Sequence, residues 1–464
     1  MTLSRIGPAL LGGLCLALAA CASAPVVAPA PDLPAHYPDT ADAGAAPDLP
    51  GWRALFADAR LRALVEAALA HNRDLQVAVA RVAEARAQFG IQEAASLPGI
   101  DLAAVGERGR TPADLSVTRA PQIASQYRAG AQMLAYEVDF WGRVRSLNAA
   151  ALAQFLATDE ARRAFTLSLV AQVAQAHLLA LELDERIDLA GRALATREES
   201  FRIMRRRADV GSSSDLELRQ AESLLVSTRG ERAALERQRA QNAALIQQLT
   251  GHAGGTLPAA ASLDGQGLEA PLPAGLPAAL LTRRPDIRAA EQRLVASHAR
   301  VDAARAAFLP NITLTAFGGG ASAELDGLFR GGASAWNFVP MLRMPLFDGG
   351  RTRAALNLAE ARQEVAVADY ERTVQDAFRE VADALPARRW LAVQVAEQRN
   401  LVAAEADRAR LAGLRFERGA SSYLDVLDAQ RALFSAEQAL VQLRRAHMGS
   451  TVTLYKALGG GPQD

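Results

Sequence analysis

The chain has 464 residues, 51 basic and 51 acidic side chains, 5% aromatic residues and 2 cysteines. The zero charge balance gives no support for nucleic-acid binding, which leaves a basic footprint, and so few cysteines exclude a disulfide framework. Lys456 is the only lysine; the other 50 basic residues are arginine.

In chain order, Arg5 is followed by an apolar run from Ile6 to Leu18 and then Ala19-Ala20-Cys21. The run falls short of the ~20 residues a transmembrane helix needs, so 1–20 reads as a cleaved secretory signal peptide. Leu18-Ala19-Ala20-Cys21 resembles the lipobox of bacterial lipoproteins, which implies that Cys21 is the acylated first mature residue, with Ala22 favouring the outer membrane. Cys15 leaves with the signal, and the mature chain keeps one cysteine. Residues 21–50, rich in Ala, Pro, Val, Asp and Gly, cannot bury a core and read as a lipidated flexible tether.

The remainder is written twice. Ala94-Ala95-Ser96-Leu97-Pro98 returns as Ala306-Ala307-Phe308-Leu309-Pro310 after 212 positions, Gly142-Arg143 as Gly350-Arg351 and Gly211-Ser212 as Gly419-Ala420 after 208. The repeat is far longer than solenoid periods of about 20–50 residues. It divides the chain into a first repeat at 51–250, an inter-repeat linker at 251–277, a second repeat at 278–458 and a tail at 459–464. Length alone suggests about three domains, but neither half looks self-sufficient.

Residues 143–208 lack proline and carry apolar residues at spacings of three and four, including Leu167, Val170, Val173, Leu178 and Leu181. Such a helix is roughly 100 Å long, and 350–415 repeats it with a break in pattern near Pro386. Shorter periodic segments flank each: 72–96 and 215–249, then 285–308 and 421–457. Each short pair laid end to end matches one long helix, with hairpins turning at Gly211 and Gly419.

Between helices lie the candidate strands 98–110, 125–141, 310–320 and 336–348. Ile312, Leu314 and Ala316 alternate with Asn311, Thr313 and Thr315, while Trp336, Phe338, Leu342 and Met344 share a face. That is strand periodicity. A soluble four-stranded sheet and a membrane sheet both remain open. Single-chain bacterial barrels start at about eight strands, so the membrane reading needs several copies.

Gly51-Trp52-Arg53-Ala54-Leu55-Phe56-Ala57-Asp58, the run Ala80-Arg81-Val82-Ala83-Glu84-Ala85-Arg86-Ala87, Leu281-Thr282-Arg283-Arg284-Pro285-Asp286-Ile287 and the stretch Phe416 to Gln430 occur in that order. Over Trp52 to Leu458 they resemble the outer-membrane efflux proteins of the TolC and OprM type, in particular the lipoprotein, NodT-like branch. The resemblance implies a mainly α fold with a small β part. A homotrimer would form a 12-stranded outer-membrane β-barrel, continued by a long α-helical periplasmic tunnel. It further implies a passive channel of a tripartite efflux system, partnered by a periplasmic adaptor and an inner-membrane efflux pump and anchored in outer-membrane lipid at Cys21. A lipid-anchored periplasmic coiled-coil adaptor or scaffold is the alternative.

The resemblance places Asp425 and Asp428 at a periplasmic gate, where three-fold symmetry would make acidic rings; acids in a helix's first turn also favour its dipole. Phe416 and Ser421 match the positions of a tyrosine-arginine link that closes the mouth in relatives, so that link is absent as such. Gly211 and Gly419 are candidates for helical-tip adaptor docking, and equally for helix-ending glycines with positive φ. Arg205-Arg206-Arg207 reads mainly as a solvated face. Glu217 and Gln220 stand where the second copy has Asp425 and Asp428, so the first repeat reads as static wall and the second as gate. The histidines are scattered, no metal spacing, nucleophile elbow or phosphate loop occurs, and neither enzyme activity nor a cofactor or metal is expected.

Overall fold

The computed structural model describes residues 34, 37, 49–251, 257–268, 272 and 277–461. The signal peptide, Cys21, nearly all of the tether, parts of 251–277 and residues 462–464 lie outside the described residues. The elements are α1 (Trp52–Leu55), α2 (Ala59–His71), α3 (Arg73–Ala94), β1 (Asp101–Thr111), β2 (Gln122–Val138), α4 (Arg143–Asp209) and α5 (Asp215–Thr250). They are followed by α6 (Leu280–Arg283), α7 (Pro285–Ala306), β3 (Asn311–Ser322), β4 (Ser334–Arg343), α8 (Arg351–Glu417) and α9 (Tyr423–Ala457). The architecture is mainly helical with one small sheet, duplicated in element order.

The strands differ from their sequence-derived bounds at the ends, for local reasons. Pro98 and Pro310 have no N–H to give a ladder, and pairing begins at Asp101 and Asn311. β2 stops at Val138 because Asp139 turns to receive the Val144 and Arg145 amides, each at 2.9 Å, at the start of α4. β4 stops at Arg343, ahead of Pro345, and Asp348 receives the Gly350 amide at 3.0 Å and the Thr352 amide at 2.8 Å. Each long helix therefore opens on an aspartate, although the two are one position out of step in the repeat. Pro386 does not break α8, which runs through it over 67 residues; one lost backbone bond is carried by the turns on either side.

The chain divides into two compact units. The first contains Val82–Thr158 and Ala290–Tyr370, and holds the sheet. Its four strands are antiparallel in the order β1-β2-β3-β4. The register is continuous except for a bulge between Met133 and Tyr136, where Ala135 adopts a φ of 50°.

The second unit contains Pro31–Arg81, Asp159–Ala289 and Glu371–Asp464. Here the short helices of each repeat meet end to end. The Asn72 side-chain amide, between α2 and α3, donates to the Leu249 carbonyl near the end of α5 at 3.0 Å. Arg284, just before α7, donates to the Ala457 carbonyl at the end of α9 at 2.9 Å. Gly251 and Gly459 sit just past those helix ends with φ of 67° and 93°. A Cβ on either would lie 2.6 Å from the His71 carbonyl oxygen or 2.9 Å from that of Arg283, so close approach requires glycine at both joints.

The inter-repeat stretch is more than a connector. Its described part forms a 3-10 turn over Leu263–Gln266, with Leu263, Gln266 and Leu268 buried. Gln266 donates at 2.9 Å to the buried Asp58 carboxylate, which also accepts the Arg60 amide at 2.8 Å and lies 3.0 Å from His177 Nε2. Burial pushes the Asp58 carboxyl up, and the hydrogen bonds from Gln266, the Arg60 amide and His177 outweigh it, leaving it below its ordinary value. Burial holds the His177 imidazole below its ordinary value despite Asp58. A neutral imidazole donating to an ionised carboxylate thus joins α2, α4 and the inter-repeat turn.

Candidate functional site: the hairpin tips and the two-faced sheet

Both tips close by the same backbone device. The Gly211 and Gly419 amides donate to the Ala208 and Phe416 carbonyls at 2.9 Å, and the next amides reach back to the Arg207 and Arg415 carbonyls at 2.8 Å. Both glycines are left-handed, with φ of 72° and 74°, and a Cβ at either would meet nothing within 4 Å. The αL requirement explains the residue type, while the open space leaves the tips accessible.

The helices that follow start differently. Ser214 and Glu217 form a reciprocal capping box at α5, which occupies the Glu217 carboxylate. At α9, Ser422 is the N-cap with no side-chain bond, and Asp425, the counterpart of Glu217, is exposed with no ion pair among the described residues. Its spare carboxylate is a consequence of the missing capping box.

Asp428 is not spare. One oxygen receives Arg408 Nη2 from α8 at 2.5 Å, and the other receives Arg431 Nη2 from its own helix at 2.6 Å. The hydrogen bond from Arg408 is the main reason its carboxyl lies below the usual carboxylate range. In the first copy the three positions are Ser200, Gln220 and Ser223, so this cross-hairpin ion triad belongs to the second repeat.

Phe416 and Ser421 are not brought to that triad. The Phe416 ring tilts against Tyr423 with centroids 4.8 Å apart and lies 5.1 Å from the Arg207 guanidinium. It borders a core of Met204, Ala221, Tyr423, Val426 and Leu427, joined by Phe201, Leu218, Leu224 and Ala412. The Ser421 hydroxyl is buried without a hydrogen-bond partner among the described residues. The two hairpin tips thus share one apolar core, to which the first repeat contributes Met204 and Ala221 and the second Tyr423, Val426 and Leu427. Arg207 also takes part, stacking on Phe416 across the tips. Arg408 and Arg431 carry no motif of their own, and only the phase of two helices in contact reveals them.

The sheet supplies the other functional surface. Directly paired residues point to one side, so the register sorts the side chains. Leu102, Tyr136, Ile312, Leu314, Phe338 and Leu342 fall on one face. Glu107, Gln126, Gln132, Glu137, Thr313 and Asn337 fall on the other. The apolar face is uncovered: Leu102 is 89%, Trp336 80% and Leu342 66% exposed. Apolar-out, polar-in alternation on strands of 10–17 residues is the pattern of a membrane barrel wall.

These features define a channel-forming outer-membrane protein. A family model described as outer membrane efflux protein matches residues 64–252 and again 276–460, and the chain belongs to that family. It is 43% identical over 420 residues to the outer membrane protein OprJ of Pseudomonas aeruginosa, covering 90% of this chain and 88% of that protein. It is likewise 43% identical over 414 residues to the toluene efflux pump outer membrane protein TtgI of Pseudomonas putida, covering 89% and 88%. The open-state MtrE outer membrane channel of Neisseria gonorrhoeae superimposes with a TM-score of 0.85 at 36% identity, over 94% of this chain and 98% of that one. The protein is therefore an outer-membrane channel of an efflux system. The matched proteins are channels rather than enzymes or soluble scaffolds.

Proposed function

We propose that three copies of this chain close a 12-stranded barrel and form a passive exit duct, anchored through acylated Cys21 and engaged at its periplasmic tips by an adaptor and an inner-membrane pump. The observation that carries this reading is the two-faced sheet. Four strands leave two open edges, and lipid tolerates neither unpaired edges nor a polar face. Closure with further copies buries both. The matched relatives named for efflux pumps support the partners.

The gate in this reading is the second hairpin. In the triad the Arg408–Asp428 pair ties α8 to α9, Asp425 presents a free carboxylate, and Phe416 packs on the core that must repack when the tips spread. Gly211 and Gly419, with open space above them, are the docking points for adaptor hairpins. Cargo relatives include toluene for the Pseudomonas putida protein, and a duct of this kind takes its selectivity from the pump. Single-channel recording on purified protein tests the reading. Cation-selective steps are expected, larger after Arg408→Gln with Asp428→Asn, and conductance unchanged by these substitutions would remove the triad from the gate. For the anchor, labelled palmitate should enter the wild-type chain and not Cys21→Ser; equal labelling would place acylation elsewhere.

A further inference from the structure

A cavity of about 530 Å³ lies where the strands hand over to α4 and α8, within the first unit. Five of its strand residues, Glu137, Asn311, Thr313, Met341 and Arg343, belong to the polar face, and Val138 to the other. If the barrel closes as proposed above, this face lines the lumen, and only the cavity's accessibility to transported solute rests on that reading.

The charges around the cavity are unequal in what they have left to offer. Glu137 spends both oxygens on Arg143, at 2.8 and 2.5 Å. Asp139 spends its two on the Val144 and Arg145 amides. The Arg343 side chain makes no ion pair or hydrogen bond among the described residues. Arg351 has Asp348 as its neighbour in sequence and field, but that carboxylate is committed to Gly350 and Thr352. Two arginines without a side-chain partner among the described residues therefore line one cavity, while its carboxylates are internally satisfied. Part of the remaining wall is apolar, from Leu309, Met341, Pro345 and Phe140. A planar guanidinium fork recognises a carboxylate in bidentate fashion, and the volume suits a small ligand.

We propose that this cavity is a subsite for amphipathic organic anions, with Arg343 and Arg351 holding a carboxylate and the apolar wall taking an aromatic or alkyl body. Transient capture there would retain acidic cargo at the barrel entrance and make its passage saturable, while neutral cargo passes without pausing.

Equilibrium dialysis of full-length, detergent-solubilised protein against salicylate, with benzyl alcohol as the uncharged control, tests the subsite. Saturable salicylate binding is expected, weakened about tenfold in Arg343→Gln/Arg351→Gln, as loss of charge-assisted hydrogen bonds implies. Benzyl alcohol should bind equally and weakly to both. Arg343→Lys/Arg351→Lys keeps the charge but not the fork and should bind salicylate more tightly than the glutamine variant and less tightly than wild type, which separates recognition from any folding defect of the glutamine variant. No saturable salicylate binding to wild type, or equal binding by wild type and the glutamine variant, would overturn the proposal. Dialysis needs no ion flow, so its failure leaves the channel reading standing, and absence of conductance leaves this result standing.

Discussion

Arg408 on α8 and Asp428 on α9 meet across the second hairpin at 2.5 Å, although twenty residues separate them in the chain. Both side chains are partly exposed, 49% and 39%, so the pair adds little to stability by itself. In the proposed trimer three such ties would stand around one mouth, which makes their consequence conformational. Arg408→Gln should raise single-channel conductance and leave the unfolding temperature nearly unchanged. A large drop in unfolding temperature with unaltered conductance would make the pair structural.

The same pair sets a pH dependence. Its carboxyl lies below the ordinary value because Arg408 donates to it, so the tie is complete above the usual aspartate pKa of about 3.9 and is lost as pH falls through the lower folded value. Conductance should therefore stay flat from neutral pH down to about pH 4 and rise only below it. A rise centred near pH 6 would point to another titrating group.

The common core of the tips predicts that damage to one hairpin loosens the other. Met204 is fully buried in that core, and Met204→Ala should cost about 2–5 kcal/mol of local stability. Hydrogen exchange should accelerate in 201–224 and equally in 412–427. Acceleration confined to the first hairpin would show that the two tips open independently.

Duplication, the long helices and the strands were legible in the sequence, since periodicity and repeated turns depend on near neighbours. The shared tip core was not, because Met204 and Phe416 are more than two hundred residues apart and meet only when the helices take their phases. The capping roles of Asp139 and Asp348 were hidden inside candidate strands, where alternation gives no sign that the chain turns back. Pro386 signalled a break that a helix with neighbours on either side does not need. Phe416 and Ser421 lie in the second hairpin, but the pair that bridges its two helices is Arg408 and Asp428, and Arg408 looks like any charged helical surface.

The buried pair in the second unit gives a separate pH effect. His177 is held neutral by burial, so the unfolded chain takes up a proton first, and stability is complete above about pH 6.5 and declines as pH falls below it. The thermal midpoint should drop between pH 7 and 5 in the wild-type protein and fall less in His177→Gln. Asp58→Ala should cost about 1 kcal/mol for the lost helix cap and about 1–3 kcal/mol more for the unpaired His177 and Gln266. Identical pH profiles for wild type and His177→Gln would assign the slope to other groups.

At the tips, space and backbone conformation make opposite demands. A Cβ at Gly419 meets nothing, so Gly419→Ala pays only the left-handed backbone strain of about 1–2 kcal/mol. If the open tip is the docking point, adaptor binding should fall far more than stability does, measured by co-purification against the thermal midpoint. A matched small loss in both would leave Gly419 as a helix-ending residue alone.

The central claim is that one chain's sheet is a third of a barrel. Native mass spectrometry of the detergent-extracted protein tests it most directly. A single assembly of three chains that persists on dilution is expected; a monomer as the only species under the same conditions would rule out the shared barrel.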